Sequence, residues 1–219
     1  MSAVLEFLEA FNRKERYFLI KEALGSFSLS TAYRTQLGHT LRITIPENAY
    51  VAMDYHLTWL YASLFLAGEG VTLSGAIKRV NDNESEIVRG NQEDIDLLVA
   101  FDEADVTHVI VIEAKGVTGW TNSQLKSKAK RLMEIFGEAG ADRANVKPHF
   151  VLTSPKESQG IDSSEWPNWM RENDVVAWMP LTIPSNLLRV SRCDDKAKPS
   201  ATGGCWTVLR EGRSSPLAE

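Results

Sequence analysis

Two short runs of apolar residues constrain the fold of this chain more than any other feature of its sequence. DIDLLVAF (94–101) and THVIVIEAKG (107–116) are rich in Val, Ile and Leu, and they are separated by the polar stretch DEAD (102–105). Runs of this length and composition, joined by a polar turn, predict two antiparallel strands of a hairpin. In that hairpin we expect Phe101 to pair with Val106, and we expect a β-sheet built around these strands to form the centre of the fold.

Three charged side chains interrupt these otherwise apolar strands. Side chains alternate across a strand, so Glu113 and Lys115 share one face. The expected pairing places Asp96 opposite Val111, on that same face and diagonal to Glu113. Unpaired charges in an apolar sheet are costly, and a Mg²⁺ ion bound by two carboxylates would offset that cost. With Lys115 at the edge of such a site to orient a water or stabilise charge on a phosphate, the residues predict phosphodiester hydrolysis.

This pattern resembles the PD-(D/E)xK nuclease superfamily, which has the restriction-endonuclease-like fold. The resemblance rests on Ile95 and Asp96, an apolar strand, a turn, and EAK at the end of the strand VIVIEAK, and it extends over roughly residues 70–155. Ile95 stands where the motif has proline, so half of the first motif is present. The resemblance implies that Asp96 and Glu113 bind Mg²⁺ or Mn²⁺ and that Lys115 assists the attacking water.

The same resemblance implies accessory roles for four further residues. In the superfamily the helix after the second strand often carries a Gln with a basic residue one turn later, which is similar to Gln124 and Lys128 here. Many relatives also draw an acidic residue from the helix before the sheet. Asp54 lies within the helix predicted there and Glu69 at its end, while Glu86 lies on the strand predicted to lead to the site, and Asp54 and Glu86 are the accessory acids that we assign. The alternative role for each of these acids is solubility or local capping.

A basic segment follows the second strand. Lys126, Lys130 and Arg131 lie on the next predicted helix, and no acidic residue interrupts residues 115–131. Beside the site, these cations are expected to contact the phosphates of DNA, and the alternative is a solvated helix face. Trp120, in the loop before that helix, either stacks on a base or covers the core. The net charge of −5 argues against a protein that coats nucleic acid non-specifically, but it is compatible with a local basic surface.

Hydrophobic periodicity predicts the elements around the hairpin. Helices are expected over 2–24 as one or two segments, from Ser30 to Leu37, over 49–70, and from Asn122 or Ser123 to Gly137 or Gly140. Strands are expected at 71–80 with 85–90, at 149–155, at 174–183, and as a C-terminal hairpin at 187–193 and 205–212.

This order of elements predicts an α/β fold. We expect a restriction-endonuclease-like core, in which helices flank a central mixed β-sheet, together with a helical N-terminal region. The 219 residues are 43% hydrophobic and 24% charged, which is in the range of one globular domain. Within it we distinguish the helical region (1–47), the nuclease-like core (48–184) and a C-terminal hairpin or extension (185–219).

The sequence also restricts the cellular setting. Glu6 and Glu9 interrupt the N-terminal apolar residues, which argues against a secretory signal, and the longest apolar stretch, 57–68, is too short to cross a bilayer. We therefore expect a cytoplasmic protein without a membrane partner. Cys193 and Cys205 have no CxxC spacing and no nearby histidine, so they indicate free thiols rather than a zinc site or a disulfide scaffold.

Three functions are compatible with these observations. The first is a metal-dependent nuclease acting on DNA, with Asp96 and Glu113 as metal ligands. The second is a non-catalytic protein of the same fold that binds nucleic acid or a protein partner. The third is a scaffold protein that forms a homodimer through its helical N-terminal region. The complete set of two acids and Lys115 favours catalysis, whereas the solvated end of an amphipathic strand is the simplest alternative for these charges.

Overall fold

A five-stranded mixed sheet forms the centre of the molecule. The structure, a computed structural model, describes residues 1–90, 93–116, 120–184 and 186–210. The strands of the central sheet are, in chain order, β1 Tyr50–His56, β2 Asp94–Glu103, β3 Val106–Ala114, β4 Val146–Ser154 and β5 Trp178–Pro180. They lie side by side in the same order, with β1, β2 and β3 antiparallel and β3, β4 and β5 parallel. The predicted α/β class is therefore confirmed.

Helices cover both faces of this sheet. In the part of the chain that the structure describes they are α1 Ala3–Phe11, α2 Glu15–Leu24, α3 Thr31–Leu41, α4 Leu57–Gly68, α5 Leu73–Ala76, α6 Asn122–Phe136 and a short 3₁₀ helix Asn168–Met170. The side chains of Ser2 and Ser30 accept hydrogen bonds from main-chain N–H groups at the starts of α1 and α3, as capping residues do. None of the described helices is long and apolar enough to span a membrane.

The sheet separates two apolar clusters. On one face, residues of α1, α4 and α6, such as Leu8, Leu64 and Leu132, pack against the sheet. On the other face, Leu37 of α3 packs with Val99 and other sheet residues. Strand alternation produces this division, because consecutive residues of a strand point to opposite faces. The cluster under α6 is the one that reaches the candidate site described below.

The β2–β3 hairpin is confirmed, but its predicted register was wrong. Phe101 pairs with His108, two residues beyond the predicted partner. The strands stay paired further toward the loop because the turn has only two residues, one of them Ala104 with φ +52°. Because the register is shifted by two residues, an even number, each paired side chain stays on its predicted face of the sheet. Asp96 therefore does not lie opposite Val111, which pairs with Leu98.

Two other predicted elements were wrong. Residues 49–70 form strand β1 followed by α4 rather than one helix, because residues 50–56 pair with β2 and form the edge of the sheet. Residues 71–90 contain α5 and no strand, although a strand or hairpin was predicted. The apolar residues Ile77 and Val80 of that segment are 72% and 94% exposed, so its alternating pattern does not bury a face in a sheet.

The other predicted helices and strands have the predicted type of secondary structure, although some of their bounds differ. Two helices occupy the predicted 2–24 segment, α3 starts at its predicted cap, and α6 ends before Gly137. The strand predicted at 174–183 is reduced to β5. Near the C-terminus, β6 Leu188–Cys193 and β7 Cys205–Arg210 form the predicted hairpin, as a separate two-stranded sheet.

Candidate functional site

A cavity of about 320 Å³ opens where β3 ends and α6 begins. Five residues that the sequence assigns to a site line it, together with three others: Glu113, Lys115, Trp120, Gln124 and Lys128, with Glu93, Leu125 and Ser127. The strand contributes the acid and the first lysine, and the helix contributes the amide and the second lysine. The order of β3 and α6 in the fold therefore brings Glu113 and Lys115 together with Gln124 and Lys128.

Glu113 is the buried carboxylate of this cavity. Its residue is 7% exposed, and burial raises the pKa of its carboxyl group to about 7, while the ammonium of Lys128 lowers it. The negative charges of Asp96 and Glu93 also contribute to this raised pKa, so both lie near enough to repel the carboxylate. Near neutral pH, Glu113 is thus poised between its protonated and ionised forms.

Lys128 is the direct partner of Glu113. Its Nζ lies 2.8 Å from Glu113 Oε1, and it also donates a hydrogen bond to the main-chain oxygen of Asp94. Lys128 is 8% exposed, which is unusual for a lysine and requires such partners. The side chain ties α6 to the end of β3 and to the start of β2, and its positive charge lies beside the carboxylate.

Asp96 lies outside the cavity lining. It is exposed, and its Oδ2 accepts a hydrogen bond of 2.7 Å from the main-chain N–H of Ala114. Ile95 and Leu98 both join the cluster under α6 although they are three residues apart, so the alternation of β2 breaks between them. Across from this break, Asp54 of β1 has φ +51°. The break explains why Asp96 bonds the edge of β3 instead of lining the cavity beside Glu113.

Lys115 lies at the rim, next to Trp120. Its Nζ is 5.6 Å from the centre of the Trp120 ring, a cation–π contact, and its main-chain N–H donates to Thr153. Trp120 packs against the core cluster, and among the described residues its buried indole N–H has no hydrogen-bond partner. The lysine is thus held over an aromatic ring at the mouth of the cavity.

The two predicted accessory acids lie away from the cavity, and the sequence missed a third. Asp54 pairs with Arg16 at 2.9 Å, and Glu86 is exposed in the segment between α5 and β2. Glu93 instead lines the cavity from the position just before β2. Its signal in the sequence was an acid directly ahead of the DID run, one of three acidic residues within four positions.

The basic residues of α6 divide into exposed and buried ones. Lys126 and Lys130 are exposed, and Lys126 forms an ion pair with Glu165. Arg131 is 5% exposed and donates to the main-chain oxygen of Ile87 at 2.9 Å. Its guanidinium therefore fastens the segment before β2 to the helix instead of facing solvent, so Arg131 does not belong with the surface cations.

A second charged network lies at the start of β2 and was not predicted. Asp94 accepts a bond of 2.9 Å from Lys14 Nζ through Oδ2, and its Oδ1 bonds the ring of His56. Both carboxylate oxygens of Asp94 therefore have partners, Lys14 before α2 and His56 of β1, and the main-chain oxygen of Asp94 accepts a hydrogen bond from Lys128. This network fixes the strand end on which Glu93 sits.

The oxygen donors near the cavity are of the type that Mg²⁺ and Mn²⁺ bind. Glu113, Glu93 and Asp96 supply only carboxylate oxygens, which fit a hard divalent ion. Among the residues that the structure describes, no group of three or more His, Cys, Asp and Glu side chains is gathered closely enough to hold a metal ion.

Comparison with known proteins gives no further assignment. No family model matches the chain, and no curated protein or solved structure matches it significantly.

Proposed function

We propose that this protein is a cytoplasmic, metal-dependent nuclease that hydrolyses phosphodiester bonds of DNA. The observation that carries the proposal is that Glu113 and Lys115, two residues apart at the end of β3, line one cavity with Gln124 and Lys128 of α6. The antiparallel hairpin followed by a helix and a parallel strand supports a restriction-endonuclease-like core for this arrangement. In that core Asp96 and Glu113 would hold Mg²⁺ or Mn²⁺, with Glu93 as a further carboxylate.

The residues of the cavity have distinct roles in this proposal. A bound divalent ion would acidify a water molecule and neutralise charge on the phosphate. Lys115, at the rim, donates a hydrogen bond to the attacking water or to a phosphate oxygen as negative charge develops there. Glu113 must be ionised to act as a ligand, which the nearby ammonium of Lys128 favours. The exposed amide of Gln124 positions the nucleic-acid backbone.

A specific observation supports a second function. The ammonium of Lys128 already neutralises Glu113, and Asp96 already bonds the main chain of Ala114, so the charges are partly satisfied without a metal. A protein of the same fold that binds nucleic acid or a protein partner without cleaving it would have this arrangement. The two functions differ in whether the carboxylates bind a divalent ion.

The experiment compares three variants of the full chain. Lys115→Ala leaves all carboxylates in place, so Mn²⁺ binding should persist while cleavage falls by about 10²- to 10⁴-fold. Asp96→Ala removes a ligand, so Mn²⁺ affinity and cleavage should fall together. Lys147→Ala, at an exposed lysine in the opposite end of β4, is the matched control and should behave as the parent. Calorimetry measures Mn²⁺ binding, and gels measure cleavage of labelled duplex and single-stranded DNA with Mg²⁺ or Mn²⁺.

Two results would reject the nuclease proposal. A parent protein that binds no Mn²⁺ at millimolar concentration and cuts none of these substrates would support the non-catalytic function. Cleavage at the parental level in both site variants would indicate a contaminant or another site.

A further inference from the structure

The C-terminal hairpin presents an unusual outward face. Three directly opposed residue pairs lie on this face: Leu188 with Arg210, Val190 with Val208, and Arg192 with Trp206. Their side chains share one side of the two-stranded sheet because paired residues of antiparallel strands point the same way. We call these six residues the hairpin face. It lies outside the cavity at the end of β3, whose lining contains none of them.

The apolar members of the hairpin face are exposed. Leu188, Val190, Trp206 and Val208 are 64%, 72%, 70% and 49% exposed, and within the described ranges no other element buries them. Single exposed apolar residues are common. Four adjacent ones, of which one is a tryptophan, indicate a ligand-binding surface. An indole that is mostly in solvent is also free to stack on a ligand.

Charge indicates the chemistry of the ligand. The described segment 186–210 carries five basic and two acidic residues in a chain whose net charge is −5. The hairpin face itself has two arginines, Arg192 and Arg210, and no acidic residue. Arg192 pairs directly with Trp206 across the hairpin, and its Nε donates to the main-chain oxygen of Gly203, which restrains the guanidinium. The face therefore suits an anionic ligand with flat apolar groups.

A second copy of this chain fits the hairpin face poorly. Two such faces meeting would bring four arginines together without a carboxylate, and like charges in contact are costly. Four apolar side chains also provide little area compared with the roughly 800 Å² per partner of a standard protein interface.

We propose that the hairpin face binds single-stranded nucleic acid. An unpaired base stacks on Trp206, and the adjacent phosphates contact Arg192 and Arg210. Bases within a duplex are stacked on one another and do not offer a face to the indole, so single strands are favoured. The inference goes beyond the proposed nuclease activity and does not depend on it, because it concerns binding and requires neither metal nor cleavage.

The test measures binding of the full chain to a labelled oligothymidylate by fluorescence anisotropy, in buffer with a chelator. Trp206→Ala should weaken binding by about 10-fold or more, as expected for losing one base–aromatic stack, and Trp206→Phe should retain part of it. The double variant Arg192→Gln/Arg210→Gln should lower the slope of log affinity against log salt by roughly 1.4. Leu19→Ala, at a residue 68% exposed, and Arg13→Gln/Lys78→Gln, at exposed cations, are the matched controls and should leave binding unchanged.

Three results would overturn the proposal. The first is parental affinity in Trp206→Ala. The second is tighter binding of a duplex of the same length than of the single strand. The third is a parent that sediments as a dimer and that Trp206→Ala converts to a monomer, since the face would then join two copies. If the cavity variants lose cleavage but bind oligothymidylate as the parent does, binding at the hairpin face is supported. The experiment therefore distinguishes failure of the hairpin-face proposal from failure of the nuclease proposal.

Discussion

Lys128 Nζ lies 2.8 Å from Oε1 of Glu113, and each of the two side chains is 10% exposed. The pair joins the middle of α6 to the end of β3 in the place where the resemblance predicts a metal ligand. Removing two charges from water is costly, and their attraction offsets that cost only in part. The raised pKa of Glu113 reflects this balance, because burial outweighs the effect of the ammonium. The ion pair therefore makes stability depend on pH.

The first prediction concerns Lys128→Met. Because the pKa of Glu113 is raised from 4.5 to about 7, the folded state holds a proton that the unfolded state has lost, so this group lowers stability as pH rises through that range. Removing the ammonium raises that pKa further. The loss of stability caused by the substitution should therefore be greater at about pH 9 than at about pH 5, by up to about 2–3 kcal/mol. Urea denaturation of parent and variant at both pH values measures the difference.

The control for this prediction removes both charges. Lys128→Met/Glu113→Gln leaves no buried ion and should recover most of the stability at the higher pH, since neutral replacements of a buried pair are often tolerated. Equal destabilisation of Lys128→Met at both pH values would assign the loss to packing rather than to charge.

The second prediction concerns Glu93, which sequence reasoning did not select. If it contributes a carboxylate to a metal site, Glu93→Gln should weaken Mn²⁺ binding by about tenfold while the fold stays intact. Calorimetry at about pH 8, where Glu113 is largely ionised, measures the change. Glu86→Gln, at an exposed acid outside the cavity, is the matched control, and an effect as large in this variant would count against a special role for Glu93.

The parts of the fold that the sequence predicted are those that local patterns determine. The β2–β3 hairpin, α6 and the C-terminal hairpin each have a clear period and a nearby turn, and all of them form. Strand β1 was missed because YVAMDYH runs without a break into the apolar helix α4. Short apolar runs do not distinguish a buried helix from a strand. Only pairing with β2, whose partner residues lie 38 to 50 positions further along the chain, decides between them.

In the candidate site, too, the residues that the sequence predicted correctly are those whose placement depends on a local pattern. Glu113 and Lys115 were identified because their relative placement depends only on strand alternation, which holds in β3. Asp96 was expected beside them, but β2 breaks its alternation next to Ile95, and that break depends on the irregular conformation of Asp54 in the neighbouring strand. Glu93 was missed for the same reason, since its approach to the cavity is fixed by packing of the strand end and not by a local pattern.

The third prediction concerns the exposed lysines of α6. If they contact phosphates, Lys126→Gln/Lys130→Gln should weaken binding of duplex DNA and lower the slope of log affinity against log salt by roughly 1.8. Lys130 should contribute more than Lys126, because Lys126 is already paired with Glu165. Lys78→Gln/Lys147→Gln, which removes the same charge from exposed positions outside α6, is the control. An unchanged slope in the α6 variant would make this helix face a solvated surface only.

The last prediction concerns a pair of histidines on the other side of the sheet. His108 Nδ1 lies 3.0 Å from His149 Nε2, and their rings stack with centres 5.2 Å apart. Burial and, to a smaller extent, the neighbouring charges of His108 and Lys147 together lower the pKa of His149 to about 4. The ordinary histidine pKa is near 6.5, so the neutral form contributes stability that is fully present above about pH 6.5 and is lost as pH falls through about 4.

His149→Gln should remove this dependence. The variant is expected to be less stable than the parent near neutral pH, because it loses the ring stacking, and to lose less stability than the parent between about pH 7 and pH 4, with the difference on the order of 3 kcal/mol. Urea midpoints across this range give both quantities. His39→Gln, at an exposed histidine, should show the parental pH dependence. Parallel curves for parent and His149→Gln would mean that His149 does not resist protonation in the folded state, and the low pKa would have to be abandoned.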